Sequence, residues 1–264
     1  MKRRHFMLAA LLSLVVGAVQ ADVLDDIKKK GSLLVGVSDD SPPFGQLDPK
    51  TRTVSGYDID FAAAMAKRLG VKLVIKPITM ADRIPVLQNG QVDMVVAAFT
   101  KNAERERQVD FSYGYFITGQ KFVVKKGKVT NVEQLAKASI AAVKGTTGEK
   151  GVRKELPSAN LVLVDDEPAM FRLLADGKVD AVTNDEPILA VLLSKMANKD
   201  QFEIPAISLS FDAYGVAVRK GEKRLLKEVN DGLVEMEKSG EAAKIFERWF
   251  GNMQVFRNFK ISAS

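Results

Sequence analysis

Two stretches of this chain follow one formula. "LQNGQVDMVVAAF" begins at Leu87 and "LADGKVDAVTNDE" begins at Leu174. Both read Leu-x-x-Gly-x-Val-Asp and run on into an apolar segment. Glycine just past a helix lets the chain turn left-handed, and a short apolar run bounded by turn residues reads as a buried strand. Helix-Gly-strand is common in α/β proteins, so the formula alone fits chance as well as duplication. The helical patterns that precede the two copies also match in phase, and this favours duplication. The expectation is a pair of similar α/β lobes.

The rest of the chain alternates in the same way. "SLLVGV", "KLVIKPI", "VDMVVAAF" and "KFVVKK" read as strands, and "YDIDFAAAMAKRLG" and "ADRIPVLQNG" as helices ended by Gly70 and Gly90. The pattern then restarts. "NVEQLA", "GEKGVRKEL", "EPAMFRLLADG" and "EPILAVLLSKMA" read as helices, and "SIAAV", "NLVLVD" and "VDAVTND" as strands. "FDAYGVAVRK" reads as a late strand, followed by the helices "KRLLKEVNDGLVEMEKSG" and "EAAKIFERWFG". Alternating β and α argues for a parallel sheet covered by helices.

In open α/β sheets, ligands sit beyond the carboxyl ends of the strands. The first copy of the formula ends at Phe99 and Thr100, the second at Thr183, Asn184 and Asp185. Across a cleft between two lobes these ends face each other. One offers Arg105 and the other Asp185. A cation and an anion facing one cavity suit a zwitterion.

Composition removes several alternatives. The chain has no cysteine, and its one histidine is His5. His5 lies in "MKRRHFMLAALLSLVVGAVQA", which has a basic start, an apolar run of about eleven residues and small residues at Val19 and Ala21. This reads as a secretory signal peptide, residues 1–21, cut after Ala21. Its apolar run is short against the roughly 20 residues that span a bilayer. The twin arginines hint at the twin-arginine export route. Without His or Cys, the mature chain cannot build Ser-His-Asp or Cys-His catalysis or the usual zinc sets, and no cysteine is present to carry a lipid. The net charge of +6 falls to +3 when Lys2, Arg3 and Arg4 go with the leader. No contiguous basic patch with interleaved aromatics appears, so nucleic acid is not an expected partner.

"GYDIDFAAAMAKRLGVKL", "TKNAERERQVDFSYGYF", "KGTTGEK", "VDAVTNDEPIL" and "SGEAAKIFERWFG", in that order, resemble the polar amino-acid-binding proteins that serve ABC importers. The resemblance covers essentially the whole mature chain, and "PITMADRIPVLQNG" and "TKNAER" are especially similar to the glutamate/aspartate-binding branch. It implies a two-lobed periplasmic binding protein fold, each lobe a helix-covered, mainly parallel sheet, joined by two hinge strands near residues 119–122 and 208–214. The expected division is 22–119 for the first segment of lobe one, 120–212 for lobe two, and 213–264 for the return to lobe one. It further implies a free L-amino acid as ligand, a membrane permease as partner, a periplasmic monomer, and neither cofactor nor metal nor catalysis.

The family's site residues carry over one at a time. Arg105 matches the arginine that takes the ligand α-carboxylate, for which guanidinium offers a planar fork; read without the resemblance, a solvated surface charge is the favoured alternative. Thr100 adds donors, and Asn102 stands where the family places a small hydroxyl or amide. Thr147, where "KGTTGEK" opens a helix, matches a second carboxylate ligand, against a plain helix cap. Lys144 contacts ligand or solvent. Asp185 matches the aspartate that takes the α-ammonium, against an N-cap for the helix that follows. Tyr57 matches an aromatic on the ligand's aliphatic part, against an ordinary core ring. Arg83 matches the arginine that meets a side-chain carboxylate, against a surface residue on a short helix. Arg107, Asp58 and Asp60 are expected to be solvated or structural.

The sequence also departs from the glutamate/aspartate pattern. That branch has a basic residue where Ser38 stands, a serine near Met80 and a histidine where Glu167 falls. The lysine/arginine branch has an aromatic at Ser41. Three readings therefore stay open: a binder of an acidic amino acid, a binder of an uncharged polar one such as glutamine, and an enzyme similar to cyclohexadienyl dehydratase, with Glu167 or Glu186 as its acid.

Overall fold

The computed structural model describes residues 22–251, 253 and 260–261. The expected signal peptide, with His5, lies outside them. The chain opens with α1 (Val23–Lys30) and β1 (Ser32–Val37). A small antiparallel sheet follows, made of β2 (Asp40–Ser41), β3 (Gly45–Leu47) and β4 (Val54–Ser55). Then come α2 (Tyr57–Leu69), β5 (Lys72–Pro77), α3 (Arg83–Gln88), β6 (Met94–Val95) and α4 (Ala103–Glu106). The long strand β7 (Val109–Lys125) leads to β8 (Ser139–Val143), α5 (Thr147–Glu155), β9 (Asn160–Val164), α6 (Glu167–Ala175), β10 (Ala181–Asp185), α7 (Glu186–Ser194) and β11 (Phe202–Glu203). The chain returns along β12 (Ser210–Arg219) and closes with α8 (Lys223–Ser239) and α9 (Glu241–Phe250).

The main sheet runs β5-β1-β6-β12-β7-β10-β8-β9. β5, β1 and β6 are parallel, and so are β9, β8 and β10. In each trio the first strand in sequence lies in the middle. β12 then adds antiparallel to β6, and β7 antiparallel to β10. The two halves are therefore the same construction, and β7 and β12 pair with each other between them. Each half has its own apolar core. Leu33, Val35, Phe61 and Met94 belong to one, and Val123, Ala141, Met170 and Val182 to the other.

The duplicated formula has a physical content. Gly90 and Gly177 adopt φ of 65° and 66°. Their N–H groups donate to Leu87 O and Leu174 O, each at 3.0 Å. Three residues past these glycines, Asp93 and Asp180 each clamp the central strand of their trio. Asp93 N donates to Leu34 O at 2.8 Å and its Oδ2 accepts from Leu34 N at 2.8 Å. Asp180 N donates to Ser139 O at 2.8 Å and its Oδ2 accepts from Ser139 N at 2.8 Å.

The structure corrects three local expectations. "KFVVKK" is only the end of a 17-residue strand that already begins at Val109. "VDMVVAAF" is paired only at Met94–Val95, and Ala98 turns out of the strand with φ of 43°. Asp58 holds that turn, accepting from Ala98 N through Oδ2 and from Tyr115 Oη through Oδ1, both at 2.7 Å. "NVEQLA" forms a single 3-10 turn, Val132–Leu135, closed by a capping box between Asn131 and Gln134.

Asp93→Ala should cost about 1–2 kcal/mol of stability, the usual range for stranding a partly buried strand N–H. Urea unfolding checks this, and Asp180→Ala should behave alike if the two clamps are equivalent.

Candidate functional site

Phe99, just past β6, carries two cations. The guanidinium of Arg83 lies 4.5 Å and that of Arg105 4.7 Å from its ring centroid, within the range of cation–π attraction. Arg105 comes from the one-turn helix α4, whose N-cap is Asn102; Asn102 Oδ1 accepts from Arg105 N at 3.0 Å. One terminal nitrogen of Arg105 donates to Thr100 O at 2.9 Å and the other to Gly145 O at 3.0 Å. Arg105 is 3% exposed, yet three of its five N–H donors are not used in these bonds.

Arg83 opens α3 and is equally buried. Its Nε donates to Met80 O at 2.9 Å, and its terminal nitrogens donate to Ala97 O, Ala98 O and Gly145 O, each at 3.2 Å. Four of five donors are thus committed to main-chain carbonyls. Burial, and then the neighbouring Arg105 charge, bring the Arg83 guanidinium down to about 9. Burial brings Arg105 down to about 10, against the opposing pull of Asp185. Both remain cations at neutral pH.

Asp185 ends β10 and occupies the N-cap position of α7, but its side chain makes no cap hydrogen bond. Oδ2 accepts from Tyr214 Oη, and Oδ1 is buried and meets no donor among the described residues. Burial raises this carboxyl to about 6, with the Tyr214 bond pulling the other way. Thr146 caps α5, its Oγ accepting from Glu149 N at 3.2 Å. That leaves Thr147 at the first helical position, where N–H groups attract anions.

Arg83, Thr100, Arg105, Thr147, Glu167 and Asp185 line one nearly closed cavity, with Met80, Ala98 and Ile188 as apolar wall. Its free space is about 10 Å³, on the order of a single water molecule, so its walls must part to admit anything larger. Its walls come from both halves of the chain.

Three candidates fall outside the cavity lining. Tyr57 lies in the core of the first half, its ring against Phe44, Phe61 and Phe250, its hydroxyl donating to Tyr115 O at 3.0 Å. Lys144 is half-exposed and pairs with Asp165 at 2.7 Å. Asn102 acts on Arg105 from below, as its helix cap. Arg83, conversely, is no surface residue. Glu167, a departure from the glutamate/aspartate pattern and a candidate acid in the enzyme reading, lines the cavity with Arg83. Its signal was available: "VDDEP" puts it at the carboxyl end of a strand and the start of a helix, the location that also singled out Asp185.

The chain belongs to the bacterial extracellular solute-binding proteins, family 3, whose family model matches residues 33–252. It is 36% identical to the ABC transporter glutamine-binding protein GlnH of Bacillus subtilis (strain 168), over 86% of this chain and 84% of the relative. It is 32% identical to the glutamate/aspartate import solute-binding protein of Escherichia coli (strain K12), over 95% of this chain and 91% of the relative. Among solved structures it is similar to the ancestral amino acid-binding protein AncCDT-1, a precursor of cyclohexadienyl dehydratase, with TM-score 0.80 and 36% identity over 86% of this chain and 99% of that one.

Arg83→Ala should lower stability by at least about 2 kcal/mol, because it strips donors from several buried carbonyls. A denaturant midpoint matching the parent would mean that those carbonyls find other partners.

Proposed function

We propose that this protein is the periplasmic substrate-binding component of an ABC amino-acid importer, and that its two lobes close on a free L-amino acid. One observation carries the reading: Arg105, with donors to spare, and Asp185, with a buried Oδ1 that meets no donor among the described residues, line the same cavity from different halves of the chain. A ligand α-carboxylate pairs with Arg105, helped by Thr100 and by the α5 N-terminus at Thr147. The α-ammonium pairs with Asp185. Neither lobe alone completes the site, so ligand favours the closed form by its differential affinity. The hinge is the pair β7 and β12, with lobe one formed by 22–119 and 213–264 and lobe two by 120–212. No helix among the described residues is long and apolar enough to cross a membrane; a membrane permease is the proposed partner of a monomeric binder.

For the side chain we favour an acidic amino acid, glutamate or aspartate. Arg83 and Arg105 are two buried cations against the single anion Asp185 when Glu167 is neutral. A second reading has its own support. Arg83 has only one donor beyond its four main-chain bonds, and Glu167 lies in the same cavity. One donor beside one acceptor also complements a carboxamide, as in glutamine. We assign binding rather than catalysis, because every buried ionic group of the cavity has a counterpart on a bound amino acid.

Calorimetric titration against the twenty amino acids tests the reading, with an acidic one expected to bind tightest. Arg105→Ala should weaken binding by roughly 2–5 kcal/mol, as for truncation of a buried charge pair, with the fold retained. Binding within twofold of the parent would overturn the α-carboxylate assignment, and equal binding of glutamine and glutamate would overturn the acidic one.

A further inference from the structure

Asp185 is held by a residue that does not line the cavity. Tyr214 lies in β12 and is fully buried. Its ring meets Phe44 edge-on, centroids 5.1 Å apart, and stacks on Phe116 at 5.7 Å. Its backbone pairs with Phe116 of β7 and bridges to Thr100, and the register of β12 against β7 shifts just past it, between Tyr214 and Gly215. Ring and backbone are thus both fixed by the first half and the hinge strands. The hydroxyl reaches to the second half and donates to Asp185 Oδ2. The other oxygen, Oδ1, meets no donor among the described residues, and Asp185 is part of the cavity wall.

We propose that Tyr214 is a positioning residue for the ammonium subsite, holding Asp185 through Oδ2 so that Oδ1 is the atom offered to the ligand. This rests on the amino-acid-binding reading above and adds to it a residue outside the cavity. A buried carboxylate without donors is costly, and it escapes the cost by taking a proton. A neutral acid is a poor partner for an ammonium. One charge-assisted bond from a phenol offsets part of that cost, and bonding at one oxygen fixes the carboxylate plane and the direction of the other. A phenol suits this task because it brings no charge. A lysine or arginine in its place would form an ion pair with Asp185 and compete with the ligand ammonium.

The charges that face Asp185 are Arg83 from α3, Arg105 from α4 and Asp212 from β12. Glu167 of α6 lines the same cavity, accepting from Ser41 Oγ at 2.9 Å and facing Asp40. Glu186, next in α7, pairs with Lys121 of β7 at 2.6 Å, and Asp58 of α2 and Tyr115 of β7 lie near Tyr214. Burial raises Asp185 to about 6, and the Tyr214 bond is the largest influence against that rise. Burial, and then the Asp185 charge, push the phenol up, so it stays a donor. Pairing with an ammonium needs Asp185 ionised. Below about pH 6 binding therefore releases a proton, and affinity climbs with pH by up to about tenfold per unit for one proton; above that the profile is flat. Without the phenol the carboxyl rises further, and the climb extends to higher pH. Asp58, raised to about 7, and Glu167, raised to about 8, titrate in the same range, so the difference between parent and variant isolates Tyr214.

The experiment is calorimetry from pH 5 to 8 on the parent and on Tyr214→Phe, which removes the hydroxyl and keeps the ring. The probes are glutamate and glutamine, each against its analogue without the ammonium, glutarate and glutaramate. Tyr214→Phe should bind both amino acids about tenfold or more weakly at pH 6, the usual contribution of a hydrogen bond to a charged group. Its profile should level off about one pH unit or more above the parent's, and its binding of the two analogues should not weaken. A variant that levels off with the parent, or that loses glutarate as much as glutamate, would overturn the inference and leave the amino-acid reading intact, with Tyr214 only bracing the hinge. If the analogues bind neither protein, the profile decides. If Tyr214→Phe does not fold, 3,5-difluorotyrosine at this position decides: as a stronger donor it should move the levelling-off point below the parent's, and an unmoved point would overturn the inference. Should another of the twenty amino acids bind in place of these two, it and its deamino analogue take over the comparison. Failure of the parent to bind any of the twenty would remove the amino-acid reading, and this inference with it.

Discussion

The carbonyl oxygen of Gly145 accepts hydrogen bonds from both Arg83 and Arg105. The two arginines belong to one half of the chain and Gly145 to the loop between β8 and α5 in the other. Two buried guanidiniums repel each other, and burial alone opposes their charge. Stacking on Phe99, the main-chain carbonyls that take four of the five Arg83 donors, and the shared Gly145 oxygen are what make them tolerable. The approach is close enough that a side chain on Gly145 has no room. A Cβ there would stand 2.8 Å from Ala81 Cα, and Gly145 has φ of 74°. The contact that brings the halves together is thus the same contact that holds the site's positive charge in place.

That arrangement needs a frame in which the halves are alike and yet joined. The sheet supplies it. Each trio of parallel strands aims its carboxyl ends at the cleft, and β7 and β12 run as a paired ribbon between them. β7 pairs with β12 over most of its length and with β10 over residues 120–124. One continuous strand therefore belongs to both halves. Additional ties across the cleft lie on its rim, such as Lys150 of α5 with Glu104 of α4. These are exposed pairs of small energetic weight. The buried contacts at Gly145, Ser41 with Glu167, and Tyr214 with Asp185 dominate.

Much of this was legible in the sequence because it is local or periodic. Apolar runs, glycines after helices and the repeated Leu-x-x-Gly-x-Val-Asp each report a bond pattern that a few neighbouring residues decide. Arg105, Asp185 and Thr147 could be placed because strand ends and helix starts converge in this type of sheet. What could not be read depends on partners remote in sequence. Tyr57 begins a helix whose aromatic neighbours, Phe44, Phe116 and Phe250, come from three separate segments, and these claim its ring. Lys144 was undecided until Asp165, at the end of the adjacent strand, gave it a carboxylate. The aromatic segment before "KFVVKK" reads as strand only once β12 is known to lie beside it. Glu167 looked like a departure from a pattern, because its meaning lies in Ser41 and Asp40, more than a hundred residues away.

Asp58 shows how far the site's geometry reaches into the core. It sits in the first turn of α2, fully buried, and burial raises its carboxyl to about 7, with the bonds from Tyr115 and Ala98 acting against the rise. Through Oδ2 it fixes the N–H of Ala98, which a non-glycine residue at positive φ needs in order to persist. The turn at Ala98 is what directs the carbonyls of Ala97 and Ala98 onto Arg83, and it lets the chain leave β6 toward Thr100 and Arg105. A buried carboxyl bonded to the back of the cavity wall at Ala98 thereby sets the direction of the two carbonyls that hold Arg83. The apolar run "VDMVVAAF" ends abruptly in polar residues for this reason: the strand is stopped from behind, by an aspartate in the neighbouring helix, so that its end can be used.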